Sequence, residues 1–227
     1  MPKGIFESRP SFFGAAVLTV FLVSCSEGEF GAQLEGIGSA REKYEELESA
    51  RVTVTDSFTG RVIEDFRFRY EGDTLTYLYW ATDGETVYAE YNNGSRLCYG
   101  YGGEADWTAL TVSDDGFYSY GRGIKHRLTK KSLFFLDAPS VSSVDFRDGN
   151  GVAVEYDVKK LNKRSDKEKF SELTTEFRLD KSGYIEVFIR EHTLSDGGEF
   201  AYKIEITDMN AAGVIERPDF SEALQSR

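Results

Sequence analysis

From about residue 50 onward the chain alternates between apolar and polar side chains. Phe66, Phe68 and Tyr70 take one phase against Asp65, Arg67 and Arg69, and Leu75, Tyr77 and Tyr79 take one phase against Thr74, Thr76 and Leu78. The same period of two runs through Val87, Ala89 and Tyr91, then Leu97, Tyr99 and Tyr101, then Val152, Val154, Tyr156 and Val158. It returns in Leu173, Thr175, Phe177 and Leu179, in Ile185, Val187 and Ile189, and in Phe200, Tyr202, Ile204 and Ile206. Successive side chains of a strand point to opposite faces, so this pattern gives strands with one apolar and one wetted face, the habit of antiparallel sheets. Asp83-Gly84, Asn93-Gly94, Asp148-Gly149, Ser182-Gly183 and Gly197-Gly198 sit between such runs, where a tight turn needs positive φ. At least nine strands joined mainly by short turns predict an up-and-down meander, and so many twisted strands curl into a trough.

One helix is expected before the sheet. Ser39-Ala-Arg-Glu42 is a capping box, in which the Ser hydroxyl and the Glu carboxylate each satisfy an orphan backbone amide, and Ala40, Tyr44 and Leu47 follow at helical spacing. A further turn or two is expected from Thr129 through Leu136, stopping before Pro139. The predicted class is mainly β (α+β).

The first 24 residues form a different unit. Lys3 and Arg9 make a basic start, Ser11 to Val23 is uncharged and mostly apolar, and Ser24-Cys25-Ser26 closes it. These are the features of a secretory signal. Thirteen helical residues reach only about 20 Å, short of the roughly 30 Å hydrocarbon core, so a permanent span is the weaker reading. Leu22-Val23-Ser24-Cys25 resembles the lipobox of bacterial lipoproteins. The resemblance implies a diacylglyceryl group on Cys25, cleavage before it, and a membrane anchor outside the cytoplasm. The protein would stand on the outer side of the cytoplasmic membrane, or on the outer membrane of a two-membrane cell. Residues 25–38, rich in Gly and Glu, read as a flexible tether.

Removing residues 1–24 takes away two bases and one acid, which moves the net charge from −12 to −13. So acidic a surface argues against general nucleic-acid binding, which relies on neutralising phosphates. With Cys25 lipidated, Cys98 is alone, and a small buried hydrophobe is its expected role.

A lipidated tether, one N-terminal helix and a long meander together resemble the LolA-like half-barrel lipoproteins, a group that includes mycobacterial lipid-carrying lipoproteins and periplasmic lipoprotein carriers. Residues 133–158 (LFFLDAPSVSSVDFRDGNGVAVEYDV) and 184–220, with an Ile-Glu-x-Pro ending, carry the likeness. The resemblance implies a half-open barrel wrapped around the helix, spanning residues 39–220 as one domain with a tail at 221–227. It carries no catalytic signature.

Catalytic machinery is thin. His126 and His192 are far apart and have no Cys or spaced acids beside them for a metal set. Ser119 lacks the G-x-S-x-G elbow, and Asp148 to Gly151 resembles part of a calcium loop without its distal Glu. No enzyme activity, cofactor or metal is expected. Two basic runs stand out instead. Arg122, Lys125, Arg127, Lys130 and Lys131 form one, and Lys159, Lys160, Lys163 and Arg164 open the other. Together at one rim they would meet an anionic head group; apart they are solvated loops. Phe66, Phe68, Tyr70, Tyr77, Tyr79, Tyr99 and Tyr101 share the inward phase, where they either line a cavity or fill a solid core. In the cavity reading, Tyr44 and Leu47 face Phe68, Tyr77 and Tyr99 across a gap whose mouth lies near a basic run. Two functions follow: a binding protein for a lipid or other amphipathic ligand, or an interaction or sensing module for another envelope protein.

Overall fold

The computed structural model describes residues 30–102, 108–114, 128–147, 150–164 and 169–218. The signal, Cys25 with the first residues of the tether (25–29), Ser119, Arg122, Lys125, His126, Arg127, the Asp148-Gly149 turn and the C-terminal tail lie outside the described residues. Among the described residues no helix is long and apolar enough to cross a membrane.

The alternating runs become eleven strands of one antiparallel sheet. They are β1 (Ser49–Asp56), β2 (Val62–Glu71), β3 (Thr74–Thr82), β4 (Val87–Asn92), β5 (Arg96–Tyr101), β6 (Thr108–Thr111), β7 (Val141–Arg147), β8 (Gly151–Tyr156), β9 (Phe170–Leu179), β10 (Ile185–Leu194) and β11 (Glu199–Thr207). The order β6-β5-β4-β3-β2-β1-β11-β10-β9-β8-β7 joins two meanders through the pairing of β1 with β11, Val52 opposite Ile206 and Val54 opposite Ile204. The outer strands β6 and β7 remain edges, so the sheet is an open, curled half-barrel.

Its concave face carries the core. Phe66, Phe68, Tyr77, Tyr79, Phe177 and Phe188 are buried there, together with Leu34, Ile37, Ala40, Tyr44 and Leu47 from the N-terminal helix and the loop after it. That helix, α1, spans Gly31–Glu45 and starts eight residues before the capping box. Phe30 occupies the N-cap without a side-chain cap bond, and Ser39 lies mid-helix. The predicted tether therefore loses residues 31–38. Burial of Leu34 and Ile37, worth about 1.5–3 kcal/mol each, outweighs the roughly 1 kcal/mol that each glycine costs in a helix.

Other departures have equally local causes. Val158–Arg164 is a second helix, α2, whose Leu161 is buried. It ends the strand before Val158, expected to continue it, and makes a helix of the basic run from Lys159, expected as a solvated loop unless it formed a rim. The turn expected over Thr129–Leu136 contains a single 3-10 turn, Lys131–Leu133. In β10 a bulge between Ile185 and Val187 moves the pattern by one residue, so Phe188, Arg190 and His192 face inward in place of Val187 and Ile189. In β4 the phase is reversed as well. Tyr88, Glu90 and Asn92 lie opposite Ala81, Tyr79 and Tyr77 of the concave face, and Ala89 and Tyr91 turn outward.

The outward side of β4 and β5 is nevertheless buried. After β11, Asp208 and Asn210 adopt φ of 53° and 55° and reverse the chain onto the convex face. Asn210 donates its backbone N–H to the Ser49 carbonyl at 2.8 Å, and its side-chain oxygen accepts the Glu48 N–H at 2.8 Å. Ile215 then packs with Leu78, Tyr91 and Cys98, and Cys98 is fully buried as expected of a free, apolar cysteine.

The turns supply a direct test of the register. Gly94 and Gly197 both have positive φ, 84° and 93°. A Cβ on Gly94 would stand 2.4 Å from Thr74 Cγ2, whereas Gly197 has open space around it. Gly197→Ala should cost about 1–2 kcal/mol, the penalty of the left-handed conformation, and Gly94→Ala distinctly more in urea unfolding. Equal losses would show that the β2–β3 and β4–β5 turns do not meet.

Candidate ligand-binding face

The seven aromatic residues singled out from β2, β3 and β5 share the concave face. Register sets Phe66 opposite Tyr79 and Phe68 opposite Tyr77, then Tyr79 opposite Glu90 and Glu90 opposite Tyr99. Ring centroids lie 5.4 Å apart for Phe66–Phe68, 5.6 Å for Phe66–Tyr77, 6.1 Å for Tyr79–Tyr88 and 5.1 Å for Tyr88–Tyr101. The inner members are covered, but Tyr70, Tyr88, Tyr99 and Tyr101 remain partly exposed. The wall therefore runs without a break from closed core to accessible surface.

Tyr44 and Leu47 belong to the same core, yet the ring partner of Tyr44 is not one of these tyrosines. Its ring meets Phe134 edge-on at 4.8 Å, and its hydroxyl donates to the Leu128 carbonyl. Phe134 continues to Phe188 at 5.7 Å, and Phe188 to Phe177 at 5.0 Å. The segment that follows residue 127 is thus wedged beside α1, over the late strands.

Two carboxylates sit in this apolar wall. Glu64 accepts the Tyr79 hydroxyl at 3.0 Å, and Glu90 accepts both the Tyr77 and Tyr88 hydroxyls. Alternation puts them on the inward phase, and the tyrosine hydroxyls supply the partners that a buried charge requires. Burial raises the Glu90 pKa, opposed by the two hydroxyl donors. A folded value above the unfolded one means that the native state favours the protonated form. The stability Glu90 contributes is then complete below its ordinary value of 4.5 and is lost as pH rises through the folded value. Glu90→Gln should therefore gain on the wild type in denaturant midpoints as pH rises above the ordinary carboxyl value of 4.5. A difference that stays constant with pH would contradict this.

The described members of the basic runs lie by a different part of the trough. Lys130 and Lys131 lie at the 3-10 turn beside α1, where the Lys131 ammonium pairs with Glu42 at 2.5 Å and its backbone N–H donates to Glu45 at 3.0 Å. Lys159, Lys160, Lys163 and Arg164 lie on α2, where Arg164 reaches Asp137 at 3.4 Å and Lys160 reaches Asp157 at 3.8 Å. Between these sites lies a polar group that sequence reasoning missed: Arg41, Asp137, Tyr156, Arg190 and His192. The Tyr156 hydroxyl is 3.0 Å from Thr175 Oγ1. The Arg190 guanidinium stands 5.2 Å from the Phe135 ring and 5.6 Å from the Phe170 ring. Burial, then the Arg190 charge, lowers the His192 pKa to about 4, which leaves its imidazole neutral at pH 7. The available signal was a charge on an inward phase, and in β10 the bulge concealed it.

A cavity of about 350 Å³ lies on the convex face, between Arg51, Arg67 and Leu78 of the sheet and the C-terminal residues Ala212–Glu216. Among the described residues no group of His, Cys, Asp or Glu could hold a metal ion. No family model matches the chain, and no curated protein matches it. Among solved structures the chain is similar to the crystal structure of LprF from Mycobacterium bovis, with 13% identity over 82% of this chain and 97% of that one, at a TM-score of 0.46.

Proposed function

We propose that this chain is a lipoprotein held outside the cytoplasm by acyl chains on Cys25. Its half-barrel, of the LolA-like kind, takes up a lipid or other amphipathic molecule and performs no reaction on it. The observation that carries this reading is the aromatic wall of the concave face, continuous from buried Phe66 and Tyr77 to partly exposed Tyr88, Tyr99 and Tyr101. An acyl chain laid along it would gain about 0.8 kcal/mol per buried CH₂. The Leu22-Val23-Ser24-Cys25 motif supports the anchor, and two or more acyl chains suffice for stable attachment. Organic extraction of purified protein followed by mass spectrometry tests the reading. A carrier brings a stoichiometric amphiphile besides its own anchor, and extracts holding the anchor lipid alone count against it.

A second reading, an interaction module for an envelope protein, is favoured by one specific feature. Phe146 on the edge strand β7 is 70% exposed, and Phe58 in the β1–β2 turn is 64% exposed. Apolar rings at a sheet edge and a hairpin tip suit a protein partner. Cross-linking in intact cells that captures one partner through β7, with no lipid in the extracts, would establish it.

A further inference from the structure

A ligand laid along the concave wall leaves the cavity of about 350 Å³ on the convex face unaccounted for. Its floor is one cross-strand row. Pairing sets Arg51 of β1 opposite Arg67 of β2, Arg67 opposite Leu78 of β3, and Leu78 opposite Tyr91 of β4. Its roof is the strap Ala212–Glu216, fastened at two points. At the first, the Ala212 N–H donates to Ser49 Oγ at 3.2 Å, and the Ala212 carbonyl accepts from Arg69 Nη1 at 3.3 Å. At the second, Ile215 packs with Leu78, Tyr91 and Cys98. From Gly213 to Glu216 the main chain makes no hydrogen bond among the described residues.

The charges around this cavity select the occupant. Arg51 is satisfied: its Nε and Nη2 donate to the two oxygens of Asp65, at 3.3 and 2.5 Å, and Asp208 adds a second negative charge nearby. Arg67 is not. Its guanidinium approaches Asp65 only through Nε, at 3.7 Å, and makes no hydrogen bond among the described residues. Glu216, from the strap, enters no ion pair among the described residues either. One cavity is thus lined by a cation and an anion that do not meet. An anion alone would be opposed there by Asp208 and Glu216, and a cation alone by Arg51 and Arg67. A molecule carrying both charges suits both walls, and a planar guanidinium takes a carboxylate through paired, charge-assisted hydrogen bonds. The unbonded main chain of the strap adds amide donors and carbonyl acceptors, and Leu78 and Ile215 supply an apolar side.

We propose that the convex cavity is a second binding site, separate from the aromatic trough, for a free α-amino acid with an apolar side chain. Its carboxylate rests on Arg67, its ammonium faces Glu216, and its side chain lies against Leu78 and Ile215. The volume is at the lower end of small-molecule sites, which run from about 300 to 1,000 Å³, so the cavity favours a single amino acid over a longer peptide.

Calorimetric titration of purified full-length protein in detergent with L-leucine, leucinamide and 4-methylpentanoate tests the site. L-leucine should bind about tenfold or more tightly than leucinamide, which lacks the carboxylate, and than 4-methylpentanoate, which lacks the amine. Arg67→Gln should remove the preference for L-leucine over leucinamide, and Glu216→Gln the preference over 4-methylpentanoate. Both side chains are exposed, so both variants should keep the wild-type urea midpoint, which separates lost binding from lost folding. No binding of L-leucine, equal binding of all three probes, or L-leucine affinity unchanged by Arg67→Gln would each overturn the proposal. If a variant fails to fold, the order of the three probes on the wild type decides. None of these outcomes bears on the trough, whose occupant is read from the organic extract.

Discussion

Replacing Cys25 by alanine is expected to move the protein out of the detergent-rich phase of a phase-separation assay and to leave residues 1–24 attached. The cause is chemical: in the proposed lipoprotein the thiol would accept the diacylglyceryl group, and cleavage before residue 25 would follow its transfer. A single saturated chain gives only marginal membrane binding, with an association constant of about 10⁴ M⁻¹, whereas two or more hold the protein firmly. Nothing among the described residues compensates. Without residues 1–24 the chain's net charge would be −13, which anionic head groups repel, and among the described residues no helix is long and apolar enough to cross a membrane. The change is therefore close to all-or-none. Mature wild-type protein found in the aqueous phase would refute the anchor.

Phe188→Ala should have the largest effect on stability, about 3–5 kcal/mol, as for other buried phenylalanines whose removal leaves a cavity. Phe188 is 1% exposed and touches Phe134 at 5.7 Å and Phe177 at 5.0 Å, which ties the segment beneath α1 to two strands of the sheet. Domains of this size are stable by only about 5–15 kcal/mol, so the loss is a large share of the whole. Phe146→Ala is the control: the residue is 70% exposed and should shift the urea midpoint little. Similar shifts for the two would mean that β10 presents Val187 and Ile189 inward, as plain alternation suggested.

That contrast shows where the sequence was legible. Phe66, Phe68 and Tyr77 could be assigned to one face because Asp65, Arg67, Arg69 and Thr76 hold the opposite phase, whereas Tyr79, between Leu78 and Trp80, follows only from the phase of Tyr77. The pattern failed where both faces are covered. In β4 the convex side is buried by Ile215 and the concave side holds Glu90 and Asn92, so hydrophobicity pointed the wrong way. In β10 one bulge reversed the phase of everything after it. The capping box at Ser39 was a real local preference overridden by Leu34 and Ile37, whose burial extends the helix backward. The polar group around Tyr156 was invisible because it gathers residues from α1, β8, β10 and the segment before β7. Only the strand pairing brings them together, and no local spacing encodes it.

The central claim is that the concave face, and not the convex one, holds an acyl chain. Photolysis of purified protein with a fatty acid carrying a diazirine near its methyl end, followed by peptide mapping, tests this most directly. The account predicts adducts on β2, β3 and β5, at or near Phe66, Tyr77, Tyr99 and Tyr101. Adducts confined to the convex cavity beside Arg51, Leu78 and Ile215, or no adducts above those of a denatured control, would contradict it.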